Sequence, residues 1–170
     1  ALDCFSSSGG FALHLDGRCE QVEAVDASEA TLGRAKQNAG LNQIENVQFR
    51  VGNVFDVLAT HAAQKRRFQI IVLDPPAFAK SKSSINKAIS GYKEINLKAL
   101  RLLDSGGILV TCSCSHHISP ADFSEMLAAA ALDAGKTLRI LEQRVQSQDH
   151  PVLLNVPETL YLKCTIAEVL

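Results

Sequence analysis

An aspartate followed by two prolines is the part of the sequence best suited to chemistry. Asp74, Pro75 and Pro76 come directly after the apolar run 70–73, whose length and β-branched residues predict a buried strand. The strand ends there because neither proline can donate a hydrogen bond to a neighbouring strand. Asp74 is therefore expected at the carboxyl end of a strand, where open α/β sheets bind ligands. Its carboxylate could hold a planar group on this rigid segment, or it could simply turn the chain.

Two cysteines follow the next apolar run, residues 108–111. Cys112 and Cys114 are two residues apart, so they share one side of an extended segment. A cysteine thiolate is a strong nucleophile near neutral pH. Cys112 lies closer to the apolar run and is expected to be a small buried residue with a raised thiol pKa. Cys114 lies further beyond the strand, nearer the cleft that Asp74 borders, and both residues remain candidates on position alone.

A turn of small residues near the start of the chain could bind a cofactor. Residues 1–5 predict a strand, 6–10 (SSSGG) predict a turn, and a helix begins at about residue 11. Small residues let a backbone approach a ligand closely, and a helix N-terminus presents free N–H groups. Asp26 ends the next predicted strand, where dinucleotide-binding folds carry a ribose-binding carboxylate. Asp26 could instead belong to the cap of the following helix, for which Ser28 is the expected N-cap.

These residues must be positioned by alternating strands and helices. Further strands are predicted at 47–51, 108–111, 138–141 and 159–169. Further helices are predicted from Ser28 to about Asn42, at 54–63 and 92–103, and from Ser119 to Gly135. Alternation through residue 144 requires a parallel, doubly wound sheet. The last two strands are joined by a loop alone and are expected to pair antiparallel at the sheet edge.

Composition limits the class of protein. The chain has 170 residues, is 46% hydrophobic and carries a formal net charge of −1, which predicts one globular domain over 1–170 without a general attraction to nucleic acid. No apolar run is long enough to span a membrane, and no signal peptide is evident. Five scattered cysteines without a C-x-x-C pair favour a reducing, cytoplasmic environment. The abrupt start within a strand pattern suggests the C-terminal piece of a longer protein.

A polar segment separates the Asp74 strand from the next helix. It carries Lys80, Lys82 and Lys87 with serines between them, and it is expected to be a loop until about Asn86. Three lysines beside a candidate site could hold phosphates, or they could simply be solvated.

The ordered set of motifs resembles the catalytic domain of the ribosomal RNA large subunit methyltransferase I family. The matching segments span nearly the whole chain and are Cys4–Phe5, Gly9–Ala12, Val25–Ser28, Asp74–Phe78, Gly91–Lys93, Ser113–Ser115, Asp149–Pro151, Pro157–Glu158 and Leu160–Lys163. The resemblance implies a Rossmann-like class I methyltransferase of the α/β class, with a mostly parallel seven-stranded sheet and a terminal antiparallel strand. It implies methyl transfer from S-adenosylmethionine to cytosine C5 of 23S rRNA in the cytoplasm. It also implies an N-terminal PUA-type RNA-binding domain, absent from these residues, and allows a homodimer.

The resemblance assigns roles residue by residue. Cofactor-binding residues would be Phe5, Ser6, Ser8, Gly9, Gly10, Asp26, Ala27, Asn53, Val54 and Asp74. Substrate-binding residues would be Pro75, Pro76, Phe78 and Lys80. The catalytic residues would be Cys114, attacking cytosine C6, and Asp74, hydrogen-bonding near N3 and the exocyclic amine. Ala77 occupies the position where many RNA cytosine-C5 enzymes have a second cysteine, so a mechanism with one cysteine is implied.

Other functions stay open at this point. An rRNA guanine N-methyltransferase would share the Asp-Pro-Pro-x-Phe segment but need no nucleophile. An NAD-dependent oxidoreductase is compatible with Asp26, although the sequence lacks G-x-G-x-x-G. The chain could also be a cofactor-binding domain that is inactive without its RNA-binding part. A zinc site made of Cys112, Cys114, His116 and His117 is disfavoured because the spacing is tighter than in structural zinc sites, and no metal is predicted.

Overall fold

The chain folds around one seven-stranded sheet flanked by helices on both faces. The structure, a computed structural model, describes residues 1–79, 81 and 84–170. The strands are β1 (Leu2–Cys4), β2 (Val22–Asp26), β3 (Val47–Val51), β4 (Phe68–Leu73), β5 (Leu103–Ser113), β6 (Leu138–Arg144) and β7 (Lys163–Val169). The helices are α1 (Gly10–His14), α2 (Glu29–Leu41), α3 (Val54–Ala63), α4 (Ile85–Leu102) and α5 (Pro120–Asp133), with a 3₁₀ turn at Pro157–Thr159.

The strand order is β3-β2-β1-β4-β5-β7-β6, and the predicted fold class is confirmed. Strands β1 to β5 pair in parallel, whereas β7 is antiparallel to both β5 and β6. The chain runs outward in opposite directions from β1 and β4, so these two central strands form a topological switch point. Ligands of open α/β sheets bind at the carboxyl ends of strands at such a point.

Buried apolar runs explain why β1 and β4 occupy the centre. Leu2, Cys4, Ile71 and Leu73 are fully buried, as expected for strands covered by helices on both faces. The larger core lies under α3, α4 and α5, and a smaller one joins Ala12 of α1 to strand β2.

The helix boundaries follow the expected capping chemistry. The Ser28 hydroxyl accepts a hydrogen bond from the Thr31 N–H at 3.3 Å, which begins α2. Ser119 and Asp122 form a reciprocal capping box at the start of α5. Gly135 follows the end of α5 with φ +65°, a conformation that a side chain would disfavour.

The predicted bounds of α4, β5, β6 and β7 differ from those in the structure. Helix α4 begins at Ile85 rather than near residue 92, and its first turns join the core through the buried Ala88 and the partly buried Ile89. Strands β5 and β6 are longer than their apolar runs. The segment 157–159 forms a 3₁₀ turn, so β7 begins at Lys163 rather than at residue 159. Strand β7 inserts between β5 and β6, which leaves β6 at the edge.

No helix within the described ranges is long and apolar enough to cross a membrane.

Candidate active site

The turn after β1 has an unusual backbone conformation. Phe5 and Ser7, neither of them glycine, have φ values of 63° and 50°, and Gly9 has a φ of 89°. Left-handed conformations at non-glycine residues cost free energy and cluster at ligand-binding sites. A Cβ on Gly9 would also approach Leu13 Cγ to 3.1 Å and Ala35 Cβ to 3.2 Å. The turn therefore holds a specific shape, and Gly9 is needed for it.

Asp3 supports this turn from below and was missed in the sequence analysis. Its side chain is buried, and Oδ2 accepts hydrogen bonds from the Ser6 hydroxyl at 2.7 Å and the Ala12 N–H at 2.9 Å. Burial raises the pKa of Asp3 to about 6, and the carboxylates of Asp74 and Asp26 add to the rise. A charged residue inside a buried strand was the sequence signal that could have identified it.

Asp26 combines the two roles that the sequence left open. Its Oδ2 accepts a hydrogen bond from the Ser7 N–H at 2.9 Å, and its Oδ1 accepts one from the Ser28 N–H at 2.8 Å. The carboxylate therefore ties the β1 turn to the start of α2. Asp26 is half-buried and Ala27 beside it is exposed, so both remain accessible from the cleft.

The other predicted cofactor residues lie on the same edge of the sheet. Ser8 and Gly10 are exposed, while Ser6 is buried and Phe5 half-buried. A second group lies at the start of α3. The Asn53 side chain is exposed and its Oδ1 already accepts a hydrogen bond from the Phe55 N–H at 2.9 Å. Val54 is buried in the core, so only its backbone is available to a ligand.

The Asp74–Phe78 segment, called here the Asp-Pro-Pro loop, is fixed by two hydroxyl groups. The Tyr92 hydroxyl accepts a hydrogen bond from the Phe78 N–H at 3.4 Å, and the Ser115 hydroxyl accepts one from the Ala79 N–H at 3.2 Å. The two hydroxyl oxygens are themselves 3.0 Å apart. Strand β4, helix α4 and the residues after β5 therefore hold one another at the site.

Aromatic packing completes the Asp-Pro-Pro loop. The Phe78 ring lies 4.5 Å from the Tyr92 ring, centroid to centroid, and contacts the rings of Phe5 and Phe55 at 6.4 and 6.3 Å. A Cβ on Gly91 would approach Phe78 Cδ2 to 3.3 Å, which explains a small residue at that position. Phe78 is thus half-buried and holds the loop, while Asp74 and Pro76 are exposed and Pro75 is buried.

The structure brings Cys114 to this loop. Its thiol is half-buried, and Sγ lies 3.9 Å from the Pro75 carbonyl oxygen, to which it donates. Burial, followed by the Asp74 carboxylate, raises the pKa of the Cys114 thiol, while Lys163 acts in the opposite direction. Burial in the cleft also raises the pKa of Asp74, although part of that residue stays exposed. The two predicted catalytic residues are therefore neighbours.

Cys112 is a different kind of residue. It is 3% exposed and lies directly opposite Cys164 on β7. A hydrogen bond with the Cys164 thiol and burial both raise the pKa of the Cys112 thiol. The predicted buried cysteine with a raised pKa is confirmed. The raised pKa of Cys114 was not anticipated, because it depends on a neighbouring loop.

The lysines of the loop and the paired histidines contribute little to the described part of the site. Lys80 and Lys82 lie outside the described residues, and Lys87 is exposed on α4. The rings of His116 and His117 pack against each other with centroids 3.8 Å apart. In the part of the chain that the structure describes, no group of three or more His, Cys, Asp or Glu side chains could hold a metal ion.

A large cavity lies at the other end of the sheet. It measures about 610 Å³ and is lined by residues at the amino ends of β1, β2 and β4, including Ala1, Gln21 and Phe68. The strained turn and the Asp-Pro-Pro loop are at the carboxyl ends, so this cavity is not the candidate active site.

The fold, the strained turn and the acid-lined switch point are those expected of a Rossmann-like methyltransferase. The sequence matches the family described as "Methyltransferase domain" over residues 1–151, and the chain belongs to that family.

Individual relatives agree with the resemblance predicted from the sequence. "Ribosomal RNA large subunit methyltransferase I" of Yersinia pseudotuberculosis serotype O:1b (strain IP 31758) is 46% identical over 166 residues, which cover 95% of this chain and 42% of that protein. The chain thus spans less than half the length of this relative.

Solved structures share the fold at low sequence identity. SMU.776, described as a putative methyltransferase complexed with SAH, superimposes with a TM-score of 0.85 at 20% identity, covering 99% of this chain and 44% of that one. A structure described as a putative SAM-dependent methyltransferase from Streptococcus mutans gives the same values, a TM-score of 0.85 at 20% identity with 99% and 44% coverage.

Proposed function

We propose that this chain is the catalytic domain of an rRNA methyltransferase that transfers a methyl group to cytosine C5 of 23S rRNA through a covalent adduct with Cys114. One observation carries the proposal: the Cys114 thiol lies against the Asp-Pro-Pro loop, close enough to the Asp74 carboxylate for that charge to raise the thiol pKa. A nucleophile and an acid thereby meet at the switch point where β1 and β4 lie side by side. The name of the relatives supports rRNA as the substrate, and a cytoplasmic location is part of this proposal.

The methyl donor is S-adenosylmethionine, as membership of the methyltransferase-domain family and the SAH complex of SMU.776 indicate. Bound S-adenosylmethionine supplies an electrophilic methyl group on a sulfonium. The residues present fit this molecule. A Cβ built on Gly10 meets no atom within 4 Å, so a ligand can approach the turn closely there. Asp26, at the end of β2, is expected to accept hydrogen bonds from the ribose hydroxyls.

Cys114 would supply the activation that cytosine needs. Attack of its thiolate on C6 forms an S–C6 bond and moves the C5–C6 electron pair onto C5, which becomes nucleophilic. Once C5 carries the methyl group, a base removes the C5 proton. The C5–H electron pair then restores the double bond, and the S–C6 bond breaks to return the thiolate. The raised pKa of Asp74 suits a carboxyl group that shares a proton with N3 during the adduct stage.

A second candidate function is rRNA guanine N-methylation. One observation favours it: burial and Asp74 raise the pKa of Cys114, which lowers the thiolate fraction in the free protein. A guanine N-methyltransferase would use Asp74 and the prolines to hold the base and would leave the thiol unused.

Trapping distinguishes these functions. We expect the intact protein containing this domain to form a stable complex with 5-fluorocytosine RNA in the presence of S-adenosylmethionine, because fluorine at C5 cannot leave as a proton. Cys114→Ala should abolish both this complex and methylation while retaining cofactor binding. Cys112→Ala is the matched control and should retain substantial activity. Turnover by both variants would replace the cytosine-C5 proposal with the guanine-N alternative.

A further inference from the structure

Lys163 is a buried cation close to the candidate nucleophile. It is the first residue of β7 and is 7% exposed. Its Nζ donates hydrogen bonds to the Ser115 carbonyl at 2.6 Å and to the Tyr161 carbonyl at 2.9 Å. Lys163 pairs across the strands with Ser113, so its side chain reaches past the end of β5 to the residues around Cys114.

Charged and titratable groups approach Cys114 from three strands and affect the pKa of its thiol. The Asp74 carboxylate approaches from the β4 side, the thiol of Cys112 lies two residues away on β5, and Lys163 approaches from β7. Burial and Asp74 both disfavour a thiolate, whereas the positive charge of Lys163 lowers the pKa of Cys114. Backbone hydrogen bonds from Cys114 and Ala77 also lower this pKa, and Lys163 adds a positive charge to them that opposes burial and Asp74.

A purely structural tie would not require a charge here. Two backbone carbonyls can be joined by any neutral donor, and burying an ammonium group is costly. The cost is visible in Lys163 itself, because burial lowers its pKa to about 8, while the Cys114 thiolate acts to raise it. At neutral pH the side chain still carries its proton. Burying an ammonium group costs free energy, so its presence here fits a role that depends on its charge.

We propose that Lys163 is a positioning residue that holds the 113–115 segment beside the residues leading into β7 and stabilises the Cys114 thiolate. This inference rests on the proposed function, in which Cys114 is the nucleophile. The thiol proton leaves to solvent water, the electron pair stays on Sγ, whose negative charge the Nζ ammonium stabilises, and that pair then forms the bond to C6. Lys163 acts through Cys114 and does not itself touch the base.

Alkylation of the thiol tests the inference without RNA. The rate of iodoacetamide alkylation of Cys114 would be followed by peptide mass spectrometry in the intact protein at pH 7, where Lys163 carries its charge. In Lys163→Gln, which keeps a hydrogen-bond donor but loses the charge, the rate should fall by about tenfold or more, the effect expected when an opposite charge nearby is lost. Lys163→Arg should restore most of the wild-type rate. An unchanged rate in a folded Lys163→Gln protein would overturn the inference.

Lys136 provides a matched control. Its Nζ also donates to a backbone carbonyl, that of Leu103, but at the opposite end of β5 from Cys114. Lys136→Gln should leave the alkylation rate of Cys114 at pH 7 unchanged. A fall as large as that of Lys163→Gln would mean that the effect is not local to Lys163.

A reciprocal measurement covers the case in which Lys163→Gln fails to fold. If the two groups interact, a permanent negative charge at position 114 must raise the titration midpoint of Lys163. The Lys163 midpoint, measured from the ¹³C shift of its Cε, should therefore be higher in Cys114→Asp than in Cys114→Ser. Equal midpoints in the two variants would also overturn the inference.

The outcomes for the two proposals are separable. If the alkylation rate of Cys114 depends on Lys163 but Cys114→Ala still methylates RNA, the covalent mechanism fails while the thiolate pairing stands. If wild-type protein is trapped on 5-fluorocytosine RNA but the alkylation rate does not depend on Lys163, only the role of Lys163 fails.

Discussion

Three carboxylates act on one another at the carboxyl ends of the central strands. Asp3 lies beneath the strained turn, Asp26 ties that turn to α2, and Asp74 begins the Asp-Pro-Pro loop. Burial is the main cause of the raised pKa of Asp3, and the two other carboxylates strengthen it. Binding an S-adenosylmethionine cation nearby would offset this accumulation of negative charge.

Asp3 should make stability depend on pH. Its pKa is raised from 3.8 to about 6, so between these values the folded state holds the proton more tightly than the unfolded chain. The free energy of unfolding contributed by Asp3 therefore falls as pH rises from about 4 to about 6, by about 3 kcal/mol in total. Asp3→Asn removes the titrating group and should remove this decline. Urea unfolding of both proteins at a series of pH values measures it.

Asp16 offers a control for the Asp3 experiment because it is an exposed aspartate. Asp16→Asn should retain the wild-type decline in stability. If the unfolding free energies of wild type and Asp3→Asn change with pH in parallel, Asp3 is not the cause of the decline.

At the scale of elements, the site depends on how α4 joins β4 to β5. Tyr92 is buried on α4, and its hydroxyl lies between the Phe78 N–H and the Ser115 hydroxyl. Ser115 in turn holds Ala79. The hydroxyl groups of Tyr92 and Ser115 thus set the distance between the Asp-Pro-Pro loop and Cys114. This geometry depends on the packing of β4, α4 and β5 together.

Tyr92→Phe should loosen the site while preserving the aromatic packing. The Phe78 N–H would lose its acceptor, which costs about 1–3 kcal/mol for a group buried away from water. We expect a comparable loss of unfolding free energy in urea and a lower methylation rate. Tyr161→Phe is the control, because only the backbone carbonyl of Tyr161 takes part in the hydrogen bonds at the site.

A double-mutant cycle with Ser115→Ala tests whether the two hydroxyls act as one unit. The combined loss should be smaller than the sum of the single losses. Additive losses would mean that Tyr92 and Ser115 hold the loop independently.

At the scale of the whole molecule, charge is spread without a dominant sign. The formal net charge is −1. Its 17 lysines and arginines are offset by 18 aspartates and glutamates, so no net positive charge attracts phosphates. Its relatives have more than half of their length outside the matched region. We expect strong RNA binding to depend on those parts of the relatives' chain.

The 170-residue chain alone should bind RNA weakly and with a shallow dependence on salt. Each phosphate contact contributes about −0.7 to the slope of log affinity against log salt for a single strand, so a few contacts give a slope of about −2. Fluorescence anisotropy with a labelled rRNA fragment from low to moderate salt measures it. A slope as steep as that of a protein with many phosphate contacts would contradict this expectation.

Much of the fold could be predicted because the relevant signals are local. Buried strands are recognisable as apolar runs such as 70–73, and the Ser28 and Ser119 caps follow from side chains that bond to a nearby backbone. The placement of Asp74 and Asp26 at strand ends required only the alternation of elements. The start of α4 was misplaced although Ile85, Ala88 and Ile89 have helical spacing, because the polar, lysine- and serine-rich residues before and among them favoured a loop.

The sequence by itself determined the order of the elements and the types of residue at the sheet edge, since both depend on propensity and spacing along the chain. The tertiary structure alone decided which of these residues meet. Lys163 bonds to Ser115 across 48 positions, and Tyr92 reaches Ser115 across 23. The insertion of β7 beside β5 creates the first contact, and the packing of α4 creates the second. The pKa shifts of Asp3, Cys114 and Lys163 have the same origin, because burial and nearby charges exist only once the sheet and helices have come together.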